Sequence, residues 1–153
     1  MTDALPQQGR LAAIDYGTVR IGVAITDPQQ RLASPLENYT RRDLAADAAW
    51  IKKLAETERI AGFVVGLPVH TSGEESQKSA EARRFGAWLA ETTQLPVRYF
   101  DERFTSAHAE ALLLDAGLTK KQRKERLDKL AAQILLAAYL ESTRTEGEPG
   151  GLD

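Results

Sequence analysis

No cysteine occurs in this chain of 153 residues, and there are only two histidines, His70 and His108. The first absence excludes disulfides, thiolate metal sites and cysteine nucleophiles, and it suits a reducing compartment. The second argues against a histidine-rich zinc centre. With thiolate and imidazole scarce, any bound metal would be held by oxygen, which selects hard cations such as Mg²⁺ or Mn²⁺. An excess of one charge is also lacking. Twenty Lys and Arg against 22 Asp and Glu leave a net charge of −2, so no global basic character announces a polyanionic partner. No apolar run approaches the roughly 18 residues of a membrane span, and the polar Met1–Arg10 does not read as a signal peptide. A cytoplasmic protein with no membrane partner is expected.

What is present is ordinary for a soluble domain, with 42 % apolar and 27 % charged residues. One domain over 11–143 is expected, flanked by a flexible N-terminus (1–10) and a flexible C-terminal tail (144–153). Apolar runs predict strands at Leu11–Asp15 and Ile21–Thr26, and a third near Leu32–Glu37 despite Pro35. Helical spacing follows over Asp43–Glu58, with Asp43 as N-cap and Leu44, Ala48, Ile51, Leu54 and Ala55 as the core stripe. Ile60–Gly66 is apolar throughout, as in a central parallel strand buried on both faces. A polar loop (Val69–Ser79), a helix (Ser79–Thr92) and a strand ending at Asp101 come next. A helix capped by Thr105 or Ser106 and a last helix at Leu127–Thr143 complete the order. A β-meander followed by alternating helices and strands predicts an α/β fold with a mixed five-stranded sheet and helices on both faces. In such sheets ligands gather at the carboxyl ends of the strands.

Asp15, Asp101 and Glu102 fall at those ends. Asp15 closes an apolar strand, and desolvating a lone carboxylate costs several kcal/mol without a compensating partner. Asp128 opens the last helix, and the positions three, four and seven beyond it are Ala131, Ala132 and Leu135, an apolar and small face. Each acid has a plain alternative: a solvated strand end for Asp101 and Glu102, a helix-dipole partner for Asp128. Together they suggest an oxygen-ligand site for two divalent cations of the kind that hydrolyses phosphodiesters. The run Lys120-Lys121-Gln122-Arg123-Lys124-Glu125-Arg126 is either a solvated helix start or loop, or a phosphate-binding element. Asp15-Tyr16-Gly17-Thr18 also resembles the first phosphate loop of actin-like kinases, but those need two lobes and this chain has room for one.

Four motifs stand in order: Ile14-Asp15-x-Gly17-x-x-Arg20-Ile21-Gly22-Val23-Ala24, then Gly66-Leu67-Pro68, then Asp101-Glu102-Arg103-x-Thr105-Ser106-x-x-Ala109, then Asp128-x-x-Ala131-Ala132-x-Ile134-Leu135. Over roughly Leu11–Ser142 the chain resembles the YqgF/RuvX family. The resemblance implies a ribonuclease H-like fold and a nuclease maturing the 5′ end of pre-16S ribosomal RNA, or alternatively a Holliday junction resolvase. It places the family's catalytic acids on Asp15, Glu102 and Asp128, with Asp101 beside them. Related RuvC resolvases carry an acid after the central strand, where this chain has Gly66-Leu67-Pro68, so Asp101–Glu102 must complete the cluster. Adjacent strand residues point to opposite faces, so one of these two reaches the metal, and Glu102 is preferred because it starts the turn away from the strand. Thr18-Val19 replaces a pair that is often more basic in the family.

The expected activity is thus Mg²⁺- or Mn²⁺-dependent cleavage of structured nucleic acid, with two ions on Asp15, Glu102 and Asp128. The expected partner is precursor rRNA or branched DNA, bound by Arg20, Arg103, Lys120, Lys121, Arg123, Lys124 and Arg126, with the chain a monomer or homodimer. His70 is a candidate to act on the leaving group. A non-catalytic module that binds RNA or a ribosome-assembly partner is the competing class.

Overall fold

The computed structural model of the protein describes residues 4–68, 77–105 and 118–147, with the backbone alone at 124–129 and 145–147. Five strands form one sheet: β1 (Arg10–Asp15), β2 (Arg20–Thr26), β3 (Ala33–Thr40), β4 (Ile60–Leu67) and β5 (Val97–Asp101). Their order across the sheet is β3-β2-β1-β4-β5. The three-strand meander pairs antiparallel, and β4 and β5 add in parallel beside β1. The helices are α1 (Leu44–Thr57), α2 (Gln77–Thr93) and α3 (Lys120–Gly147), and a 3-10 turn, Glu102–Thr105, follows β5. The mixed sheet with helices on both faces is the architecture the hydrophobic pattern predicts.

Two apolar layers hold it together. Ala12, Ile14, Val23, Phe63 and Val65 meet Ile51 of α1 and Ala82, Phe85 and Leu89 of α2 on one face. Leu11, Ala13, Ala24 and Val64 meet Ala132, Leu135, Leu136, Tyr139 and Leu140 of α3 on the other. The sheet supplies small side chains here, Ala13 and Ala24, which let α3 lie close to it. Leu5 packs on the same layer, and Gln30 Nε2 donates to the carbonyls of Pro6 and Gly9, both at 2.9 Å. No described helix is long and apolar enough to cross a membrane.

Three boundaries differ from expectation. The edge strand β3 runs on to Thr40, because Arg20 through Thr26 offer it a full ladder despite Pro35. Helix α3 begins at Lys120, not Leu127, and continues through Gly147, past the expected domain boundary. A reciprocal cap explains the early start: the Gln122 amide N–H donates to Thr119 Oγ1 (3.1 Å), and the Thr119 amide N–H donates to Gln122 Oε1 (2.9 Å). The basic run is therefore helix from its first residue. Asp128 lies in the third turn, beyond the reach of the helix-terminal dipole. The expected helix from Thr105 or Ser106 falls almost wholly outside the described residues.

Helix α1 also departs from its expected stripe. Asp43 is the N-cap, accepting from the Ala46 amide at 2.8 Å, but Leu44 is 63 % exposed and Asp47 is buried at 1 %. Three donors converge on the Asp47 carboxylate: the Tyr39 hydroxyl (2.6 Å), the Arg42 amide (2.9 Å) and Arg41 Nε (3.3 Å). Burial alone would raise its pKa, but these donors outweigh burial and hold it below the ordinary 3.8. Its contribution to stability is thus present above pH 3.8 and disappears as pH falls through the lower native value. Asp47→Ala strands those donors, and chemical denaturation at pH 7 should register a loss of about 2–3 kcal/mol. The gap between variant and parent should shrink as pH drops below 4, and a gap independent of pH would contradict the charge-based account.

Candidate active site

Strand alternation decides which side chains meet. On β1, Ala12 and Ile14 face α1 and α2, while Leu11 and Ala13 face α3. The same alternation carries Asp15, the last residue of β1, to the α3 face. Its ladder partner is Gly22, where a Cβ would stand 3.6 Å from Asp15 Cβ and 3.8 Å from Ala132 Cβ of α3. On β5, Tyr99 belongs to the first layer and Phe100 to the second. Glu102 is in step with Phe100 and arrives on the α3 face, whereas Asp101 does not.

Gly66 makes room for Glu102. A Cβ at Gly66 would come within 2.5 Å of Glu102 Oε2 and 3.1 Å of Leu135 Cδ2, so any side chain there would displace the carboxylate. The absence of a side chain at Gly66 is what lets the acid that follows β5 lie against β4. Asp101 is occupied elsewhere: Arg103 donates to it from Nε (2.8 Å), Nη2 (2.5 Å) and its backbone amide (2.8 Å). That guanidinium holds the Asp101 carboxyl below its ordinary 3.8. Glu102 is pushed the other way, up to about 7, first by burial and then by the charges of Asp15 and Asp101.

The two acids line a cavity of about 350 Å³ that also includes Tyr16, Gly17 and Thr18 of the β1–β2 turn, Pro68 after β4, and Lys78, Glu81 and Ala82 of α2. The turn requires glycine at 17, since a Cβ there would lie 2.5 Å from the Arg20 carbonyl oxygen. Tyr16 is braced from outside: Arg41 Nη1 donates to its hydroxyl at 3.0 Å, and its ring lies 4.8 Å from that of Phe85. Arg41 in turn leans on buried Asp47, so α1 and α2 both steady the turn that follows Asp15.

The profile of the RuvX family, described as "RuvX: Holliday junction resolvase", matches residues 9–142. The chain is 54 % identical over 149 residues to a Rhodopirellula baltica protein named "Putative pre-16S rRNA nuclease", covering 97 % of this chain and 86 % of the relative. A Koribacter versatilis protein of the same name is 41 % identical over 133 residues, 87 % of each chain. The chain belongs to the RuvX family. Among solved structures, Thermus thermophilus RuvC in complex with Holliday junction substrate superposes with a TM-score of 0.52 at 15 % identity, covering 87 % of this chain and 95 % of that one. At that identity the likeness concerns the fold, which is RuvC-like and ribonuclease H-like.

In this RuvX-family chain the other candidate residues scatter. Asp128 lies on α3 one turn before Ala132, the residue nearest Gly22 and Asp15, and its side chain is outside the described residues. Arg20 starts β2 and is exposed. Lys120, Lys121 and Arg123 are exposed in the first turn of α3, while Lys124 and Arg126 are described by backbone alone. His70 lies outside the described residues. Arg103 is turned to Asp101. Lys78 and Glu81 in the cavity wall carry no sequence signal of their own: a helix read from Ser79 leaves Lys78 outside it, and Glu81 reads as a solvated position. A start at Gln77 puts Lys78 three and four residues before Glu81 and Ala82, on one face.

The raised pKa of Glu102 has a testable sign. In chelator, its contribution to stability is full below the ordinary 4.5 and is lost as pH rises through about 7. Melting curves between pH 5 and 8 should show Glu102→Gln gaining on the parent by on the order of 3 kcal/mol. Parallel curves across that range would mean the carboxyl is not strained.

Proposed function

We propose that the chain is a metal-dependent endonuclease that hydrolyses phosphodiester bonds of structured nucleic acid and processes the 5′ end of pre-16S rRNA in ribosome biogenesis. The observation that carries this is that Asp15, beside Gly22, and Glu102, against Gly66, line one cavity at the carboxyl end of the sheet. The printed names of the curated relatives support the substrate.

The donor set fits a hard divalent cation. It is all carboxylate oxygen, one member is mostly buried, and the two acids repel each other, which a cation would relieve. Asp128, the third acid that the family resemblance implies, lies one turn before Ala132 on α3, the helix that packs over Gly22. Asp15, Glu102 and Asp128 would hold Mg²⁺ or Mn²⁺, two ions in all. When bound, the ions supply activation of a water and stabilisation of the departing oxygen.

The chain's own groups do the rest. Asp15 and Glu102 would hold the cations that place the reacting phosphate. Gly66 keeps the Glu102 carboxylate in position. Lys78 at the cavity wall contacts substrate phosphate as a point charge. The Asp101–Arg103 pair closes the turn that presents Glu102, so Asp101 acts by positioning. Lys120, Lys121 and Arg123, exposed at the start of α3, would supply further phosphate contacts together with Lys124 and Arg126 of the same basic run, and Arg20 adds a cation beside the β1–β2 turn.

Asp15→Asn should lower cleavage of precursor 16S rRNA at least about a hundredfold and abolish Mn²⁺ binding in calorimetry. Metal binding that survives this change would favour the non-catalytic module. Gly66→Ala should cost little stability, because the clashing atom is the end of a flexible side chain, yet lose metal affinity; unchanged affinity would remove Gly66 from the site. Neutralising Lys120, Lys121, Arg123 and Lys124 together should flatten the salt dependence of RNA binding by about 3 in slope, and an unaltered slope removes this run from the interface.

Junction resolution is the second candidate activity, favoured by the family's description. Symmetric cutting needs two sites about a twofold axis. Cleavage of a four-way DNA junction by a dimer, with precursor rRNA left intact, would establish it over rRNA processing.

A further inference from the structure

Beyond the acid cavity, a second concavity lies between β5, the 3-10 turn and α3. Arg98 and Phe100 alternate with Tyr99 and Asp101 on β5, and this puts Arg98 and Phe100 on the same face as Glu102. Because β5 is the outermost strand beyond β4, this face lies at the edge of the sheet. Phe100 packs edge-on against Tyr139 of α3, ring centroids 5.9 Å apart, and lies 6.2 Å from Phe104 on the 3-10 turn. Phe104 is 64 % exposed and is the one aromatic among the exposed large apolar side chains of the described residues. These residues line a cavity of about 400 Å³. A second cavity of about 680 Å³ continues it towards Arg31 and Arg144. The two share Arg98, Tyr139 and Thr143, so they form one groove along β5 and the C-terminal half of α3.

The groove is aromatic near the acids and cationic further out. Its two acids are already matched: Asp101 is bound by Arg103, and Glu141 lies 3.8 Å from Arg144. Arg31 and Arg98 remain exposed at the wall. An apolar ring beside the site followed by spaced guanidinium groups suits a polyanion carrying flat apolar faces. That is the chemistry of single-stranded nucleic acid, whose bases stack on aromatic rings while its phosphates follow a basic groove. A duplex would present its phosphates but not its base faces.

We propose that this groove binds the unpaired flank of the strand being cut, with a base stacked on Phe104 and phosphates on Arg98 and Arg31. The proposal rests on the nuclease reading for why a strand should leave the acids in this direction. It also makes the enzyme selective for a junction between paired and unpaired nucleic acid.

The test is fluorescence anisotropy in chelator with the full chain, so that binding is read without cleavage. Two labelled RNAs are compared, a blunt hairpin and the same hairpin with a flank of about eight nucleotides. The flank should tighten binding about tenfold. Phe104→Ala and Arg98→Glu should each erase most of that gain while leaving the blunt hairpin's affinity and the melting temperature unchanged. A flank that adds nothing overturns the proposal. So does a gain that both variants keep, the result expected if the groove serves a protein partner. Equal losses on both RNAs also overturn it, since they would mean general electrostatics. Cleavage by Asp15→Asn is measured separately, so failure of the nuclease reading and failure of the track give different results.

Discussion

The structure depends on one constraint: two carboxylates that repel each other must be held in the wall of one partly desolvated cavity. Asp15 comes from the central strand and Glu102 from the turn after an edge strand, so the backbone that carries each acid is fixed by β1 and by the 3-10 turn. Gly66, on the strand between them, provides the space. The cost of the arrangement appears as the raised pKa of Glu102, whose first cause is burial and whose second is Asp15. A bound cation would relieve that repulsion, which is the physical basis of the metal-dependent reading.

Much of the remaining fold steadies that arrangement. Small residues on one sheet face (Ala13, Gly22, Ala24 and Gly66) let α3 approach, and the approach brings Ala132 and Leu135 beside the two acids. On the opposite face larger side chains fill the layer under α1 and α2. The hydrogen-bonded chain from Tyr39 through Asp47 and Arg41 to Tyr16 links α1 to the residue after Asp15. A buried carboxylate is expensive unless several donors meet it, and here the donors also pin the turn that borders the active cavity.

The two helix-start surprises have a common cause. Thr119 with Gln122 is a capping signal that lies in plain sight, yet the charge density of Lys120–Arg126 resembles a loop when only apolar period is followed. Leu44 has the right spacing for the core, but it sits at the first helical position, and the buried place went to Asp47 because its donors come from β3 and the β3–α1 connection. Hydrophobic period carries no information about donors supplied from elsewhere in the chain.

By itself the sequence determined the element order, the mixed sheet and the acids worth watching, because period-2 and period-3.6 patterns are local and strand-end carboxylates are conspicuous. It also narrowed the choice between Asp101 and Glu102 to a question of which face each side chain takes. Tertiary structure alone decided the answer. Only the parallel register of β5 against β4 sets Glu102 beside Gly66, only the neighbouring Arg103 removes Asp101, and only the packing of α2 brings Lys78 to the cavity. Register and packing are relations between segments distant in sequence, and no local pattern encodes them.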